Sequence, residues 1–241
     1  MGYVSHPNKP TGRAVVVLYD VFGLSGGRIR TLCDALAAEG FLAIMPDIYG
    51  DGDGIDNHGG IAGLGSDEGV AWLKSFPWEV VQERVSAAVA FASNMGVPTA
   101  NSQLNPPFND NRVGLLGFCW GGWVAAKAQA TGMARCGVHV HPSWKISPWL
   151  FGESVEALAG KIKGPTLLMP AGDDPDGFRD GSYAQAIKAG GGGPVKMVDF
   201  PRMRHGFVPR GPAESQAVME DVTKAMREAV AFLDEHLFRD D

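Results

Sequence analysis

Gly117-Phe118-Cys119-Trp120-Gly121-Gly122 separates a short apolar run, Arg112-Val-Gly-Leu-Leu-Gly117, from a stretch rich in helix formers, Val124 to Ala130. A strand, a glycine-flanked turn and a helix in that order raise the central side chain above the carboxyl edge of a sheet. The spacing suits a nucleophile because the turn is strained and its neighbours need backbone without a Cβ. The helix that follows aims its N-terminal N–H groups at the sulfur and favours the thiolate. A buried core thiol in a chain with 33 glycines could show the same letters, but the strand before and the helix after decide for a nucleophile at Cys119.

Outward from this turn the chain alternates strands and helices. Ala14-Val15-Val16-Val17-Leu18-Tyr19 is continuously apolar, as a strand covered on both faces must be. A helix follows with Ile29, Leu32, Cys33, Leu36 and Ala37 on one face, ended by Gly40. Phe41 to Met45 predicts the next strand, and the Gly- and Asp-rich residues 47–66 a loop. Helices are expected from Ser66 to Phe76 and from Trp78 to Met95, then a polar connection from Pro98 to Asn111. Further strands are expected at Cys136–Val140, Pro165–Met169 and Val195–Asp199, and a helix at Ser182–Ala189. A last helix should run from Ala213 to Leu237, with Val218, Val222, Met226, Val230, Leu233 and Leu237 inward. Such alternation predicts a single α/β domain over residues 1–241, with a mostly parallel sheet and helices on both faces.

Composition narrows the function. Twenty-one basic against 27 acidic residues leave a formal charge of −6, which excludes a generally basic nucleic-acid binder. No apolar run has the roughly 18–20 residues of a membrane span. The start of the chain, Met1 to His6, lacks the basic-then-apolar form of a signal peptide. Three cysteines without a Cys-x-x-Cys pair fit a reducing compartment. The expectation is a cytoplasmic protein, monomer or homodimer, that acts on a small molecule. Cys33 and Cys136 fall on core positions.

Three motifs together resemble the dienelactone hydrolase (carboxymethylenebutenolidase) family: Gly117-Phe-Cys-Trp-Gly-Gly122, Tyr19-Asp-Val-Phe-Gly23 and His205-Gly-Phe207. Met45-Pro-Asp-Ile-Tyr49 and His141-Pro-Ser143 bring the likeness closest to its eukaryotic-type members. The resemblance implies an α/β-hydrolase fold and a Cys-His-Asp triad that opens esters or lactones through an acyl-thioester, with no metal or organic cofactor. By position it makes Cys119 the nucleophile and His205 the base. The acid lies in Ala171-Gly-Asp-Asp-Pro175, where Asp173, Asp174 and Asp176 compete and the preceding Ala-Gly favours Asp174. The order Cys119, Asp174, His205 is that of α/β-hydrolases.

The resemblance also assigns the oxyanion hole to the backbone N–H groups of Trp120 and Val21. Asp20 takes the place of a bacterial glutamate that holds the resting thiol; whether the shorter side chain reaches Cys119 or instead holds its own loop stays open. Arg210 resembles one of two bacterial arginines that bind a substrate carboxylate, whereas Arg84, on a helix, reads as a solvated charge. Trp120, Trp144 and Trp149 are candidates to line an apolar pocket, with Trp144 binding substrate. Exclusion of water there would help the thiol stay neutral at rest, since burial disfavours the charged form.

Two signals are set aside. His139 and His141 share a strand face at a spacing that zinc uses, but no third ligand declares itself. Asp51 to Asn57 has the wrong residues at the positions a calcium loop needs. Two other functions remain for comparison: a non-catalytic binder on the same fold, and glucan hydrolysis, which normally needs a carboxylate pair that the sequence does not offer.

Overall fold

The computed structural model describes residues 2–50, 54–95 and 112–237. The expected connection from Pro98 to Asn111 lies outside the described residues, as do Asp51 to Asp53 of the acidic loop. In chain order the elements are β1 (Gly2–Ser5), β2 (Ala14–Leu18), α1 (Ile29–Ala38), β3 (Leu42–Pro46), α2 (Gly60–Gly63), α3 (Asp67–Lys74) and α4 (Trp78–Met95). There follow β4 (Val113–Phe118), α5 (Trp120–Ala130), β5 (Cys136–Val140), α6 (Ile146–Phe151) and α7 (Val155–Ala159). The last are β6 (Thr166–Met169), α8 (Ser182–Ala189), β7 (Val195–Met197), α9 (Phe207–Arg210) and α10 (Gln216–His236).

The strands form one sheet in the order β1-β3-β2-β4-β5-β6-β7. Only β1 is antiparallel, paired to β3 with Gly2 opposite Pro46. All other pairs are parallel. Right-handed crossovers fix where the helices go. The step from β2 through α1 to β3 runs one way along the sheet, and the steps through α4 and α5 run the other, so α1 and the pair α4/α5 cover opposite faces. Adjacent strands β2 and β4 therefore send their chains to opposite sides, and a crevice opens at their carboxyl ends. That register, with Leu18 opposite Gly117, sets the loop at Asp20 beside the turn at Cys119.

β2 is fully buried, as its unbroken apolar run requires. Helix α5 is buried nearly all round, from Trp120 and Trp123 through Val124, Ala126 and Ala128 to Gln129. An amphipathic stripe is absent because the helix packs between the sheet and α4, α6 and α7.

Several expectations shift. β1 alternates exposed and half-buried residues at the sheet edge, too short a pattern to be legible, and is tied to α1 by Tyr3 and Ser5 hydroxyls donating to Asp34. The segment expected as a loop at 47–66 contains a 3-10 turn at Gly54–His58 and the single turn α2. Helix α10 begins at Gln216, later than Ala213, and buries Val222, Ala225, Ala229, Phe232 and Leu233. Met226 and Val230 are only half-buried, and their sequence neighbours Ala225 and Ala229 take the buried positions. No helix among the described residues is long and apolar enough to cross a membrane.

Candidate active site

Cys119 sits between β4 and α5 with φ 53° and ψ −117°, a conformation few non-glycine residues adopt. Its N–H donates to the Val140 carbonyl at 3.2 Å, and its carbonyl accepts from Gly122 at 2.9 Å. The turn fits only because the next helical turn lies directly on β2. A Cβ on Gly121 would stand 2.0 Å from the Leu18 carbonyl oxygen. Gly121→Ala is accordingly expected to cost about 3 kcal/mol and to lower the melting temperature by roughly 10 °C, measured by differential scanning calorimetry.

The remaining groups arrive from loops at the same sheet edge. His205, between β7 and α9, directs Nδ1 to Asp174 Oδ1 at 2.5 Å. The other Asp174 oxygen accepts the Ala171 N–H at 2.7 Å. Asp173 does something different: its Oδ1 accepts the backbone N–H of His205 at 2.6 Å and so holds the histidine's loop. Asp176 begins a 3-10 turn and contributes its carbonyl to Arg179 N–H. Among the three aspartates the imidazole pairs with Asp174.

With Nδ1 donating to the carboxylate, Nε2 is left to face the site. It lies 3.3 Å from Ser143 Oγ, which in turn lies 3.4 Å from Cys119 Sγ. The ring also acts on the sulfur through its charge. Burial works against the His205 cation, yet the Cys119 charge and the Asp174 hydrogen bond prevail and raise it to about 10. Burial likewise works against the thiolate, and the His205 charge and hydrogen bonding overcome it, so Cys119 is lowered from its ordinary value. Burial acts on the thiol as expected, but the facing imidazole works in the opposite direction. Desolvation alone favours neutrality, but a partner cation in the same dry site favours the ion pair.

The Val21 and Trp120 N–H groups make no backbone hydrogen bond among the described residues. Trp120 is the first residue of α5, where N–H groups lack an intrahelical acceptor. Asp20 is buried with both oxygens engaged, one by Phe22 N–H at 3.0 Å and the other by Arg210 Nε at 3.1 Å. It holds its loop and Arg210 and makes no hydrogen bond to the thiol. Arg210 stacks its guanidinium 3.5 Å over the Phe22 ring. It borders a cleft of 430 Å³ that also reaches Ile61, Arg204, His205, Phe207 and Val218.

Other expectations are corrected here. Trp144 is fully buried among His139, Phe178 and Tyr183, with its indole N–H donated to the Gly122 carbonyl at 3.1 Å; it is core and has no face for substrate. Trp120 is fully buried as well, while Trp149 is 52% exposed. Arg84 is not a solvated charge: it reaches back to the Asp47 and Ile48 carbonyls and secures the exit of β3. His139 and His141 do not share an environment. His139 lies between the Gly122 carbonyl and Gln129, whereas a φ of 37° turns His141 against His205 and Phe207. Cys33 and Cys136 are buried, and burial drives both thiols up to about 12.

Arg179 and Ser143 carry site geometry that the sequence reading did not assign. Arg179 ties the Asp174 loop by donating to the Asp174 and Ala171 carbonyls while pairing with Asp199. An isolated arginine five residues past an aspartate gives no signal of this. Ser143 belonged to a motif, but a motif match assigns no contact.

The sequence profile of the dienelactone hydrolase family matches residues 1–237. The chain belongs to that family. A carboxymethylenebutenolidase homolog of Rattus norvegicus is 25% identical over 173 residues, 71% of this chain and 60% of the relative. The chain thus spans about three fifths of the length of that protein. The Homo sapiens homolog is 24% identical over 241 residues, 98% of this chain and 87% of the relative. Among solved structures, a putative dienelactone hydrolase from Klebsiella pneumoniae aligns with a TM-score of 0.72 at 20% identity, covering 97% of this chain and 92% of that one. An acylaminoacyl peptidase of Pyrococcus horikoshii aligns with a TM-score of 0.66 at 14% identity, covering all of this chain and 40% of that one. These structures share the α/β-hydrolase fold.

Proposed function

We propose that the protein hydrolyses small activated esters or lactones through an acyl-thioester on Cys119. The observation that supports this most is the hydrogen-bonded line from Asp174 through His205 to Ser143 and the Cys119 sulfur. In this reading the thiolate attacks the carbonyl carbon, and the Trp120 and Val21 N–H groups receive the developing oxyanion. The His205 imidazolium gives its Nε2 proton to the departing alkoxide. The neutral ring then takes a proton from water, which attacks the thioester and releases the acid. Asp174 fixes the tautomer and stabilises the imidazolium. Arg210 at the edge of the cleft suits a substrate that carries a carboxylate, with Asp20 holding its Nε and leaving other N–H donors free to turn toward the ligand.

The reactive form is thiolate with imidazolium, so the sign of the pH dependence follows from the two shifts. Activity on an aryl acetate should rise as pH climbs through the lowered thiol value and fall as the imidazolium loses its proton toward about 10, the two limbs belonging to the pair as a whole. Iodoacetamide labelling supplies a check without substrate. Cys119 should react at neutral pH while Cys33 and Cys136 stay unlabelled. A Cys119 rate that rises only near the ordinary thiol range contradicts the ion pair, and labelling without any ester turnover points to a non-catalytic binder.

A further inference from the structure

Ser143 carries out no step of the chemistry above, yet its hydroxyl touches both members of the pair, beside the direct interaction of His205 with the sulfur. Its side-chain partners among the described residues are Cys119 Sγ at 3.4 Å and His205 Nε2 at 3.3 Å. We propose that Ser143 is the proton relay between thiol and imidazole, and that its hydroxyl stabilises the ion pair once formed. The inference rests on the assignment of Cys119 and His205 under the proposed function.

The local backbone is arranged to bring this hydroxyl in. After β5 the chain turns at His141, a non-glycine residue at φ 37° whose two buried ring nitrogens have no hydrogen-bond partner among the described residues. Such a conformation persists only where the surroundings enforce it. Pro142 then lies directly on the first turn of α5: a Cβ on Gly122 would stand 2.6 Å from Pro142 Cβ and 2.9 Å from its Cα. The Ser143 N–H donates to the Cys119 carbonyl at 2.9 Å and locks the loop to the nucleophile's own backbone. Ser143 is 6% exposed, so bulk water does not compete for its hydroxyl.

A hydroxyl donates one hydrogen bond and accepts others, which suits it to a relay. With the thiol protonated, S–H donates to Oγ and Oγ–H donates to Nε2. The S–H bond breaks as a new O–H bond forms, while the original O–H bond breaks and an N–H bond forms at Nε2. One proton has moved from sulfur to imidazole, the serine is again neutral, and no electron has changed oxidation level. The direction of the bonds is now reversed: Nε2–H donates to Oγ, and Oγ–H donates to the thiolate.

The test compares Ser143→Ala with Ser143→Thr, which keeps the hydroxyl. Removing it should raise the pH midpoint of Cys119 alkylation by about one unit and lower kcat/KM for an aryl acetate roughly 10- to 100-fold at neutral pH, chiefly in kcat. Ser143→Thr should hold the midpoint near that of the parent. If Ser143→Ala does not fold, Ser143→Gly serves the same comparison. A lowered midpoint in the parent that the hydroxyl-free variant leaves unmoved overturns the relay alone. An ordinary midpoint in the parent already overturns the ion pair under the proposed function, and the relay with it.

Discussion

Cys119→Ala is expected to lower kcat/KM for an aryl acetate by about 10³-fold or more, with the melting temperature close to that of the parent. The two other cysteines cannot substitute for it, since both are buried in the core and their thiols are pushed up to about 12. Loss of the thiol should therefore leave only the slow background that positioning and oxyanion donors provide. Stability is expected to survive because alanine fills most of the same space and meets the same backbone strain. Steady-state kinetics with calorimetry checks both parts, and retained turnover would remove cysteine from the mechanism.

Asp174→Asn should cost about 10³- to 10⁴-fold in kcat, while Asp173→Asn should cost roughly tenfold or less. An asparagine at 174 can keep its oxygen on the Ala171 N–H, but its amide nitrogen then faces His205 Nδ1. Nδ1 must accept and Nε2 must carry the proton, which is the wrong tautomer for taking a proton from sulfur or water. Asp173 touches only the backbone N–H of His205, so its amide form preserves that contact through the remaining oxygen. Kinetics on the two variants, with thermal melts as the control for folding, separates the aspartates. Equal losses would contradict the assignment.

How much of this could be read beforehand depends on where the information resides. The parallel sheet and the turn at Cys119 were legible because each is written in contiguous residues: unbroken apolar runs, then a strand, glycines and a helix. His205 was legible from its place between the last strand and the last helix. The choice of Asp174 came only from the resemblance and its Ala-Gly match, since Asp173, Asp174 and Asp176 lie within four residues and the loop's path decides which carboxylate meets the ring. Asp20 was left between two roles, and the answer lay 190 positions away in Arg210. Trp144 was misplaced because an indole beside a site motif reads the same whether it faces the cleft or the core. The electrostatics of the thiol were legible only in part: burial was foreseeable, but the opposing pull of the His205 imidazole depends on distances across loops. β1 and the turns within 47–66 were too short for any periodicity.

The central claim is that Cys119 carries the acyl group. Acid quenching during turnover of an aryl acetate, followed by peptide mass mapping, tests it directly. An acetyl group on the peptide containing Cys119, absent from Cys119→Ala and lost on standing in the unquenched enzyme, is the predicted result. An acetyl group on another residue, or turnover with Cys119 never modified, would contradict the account.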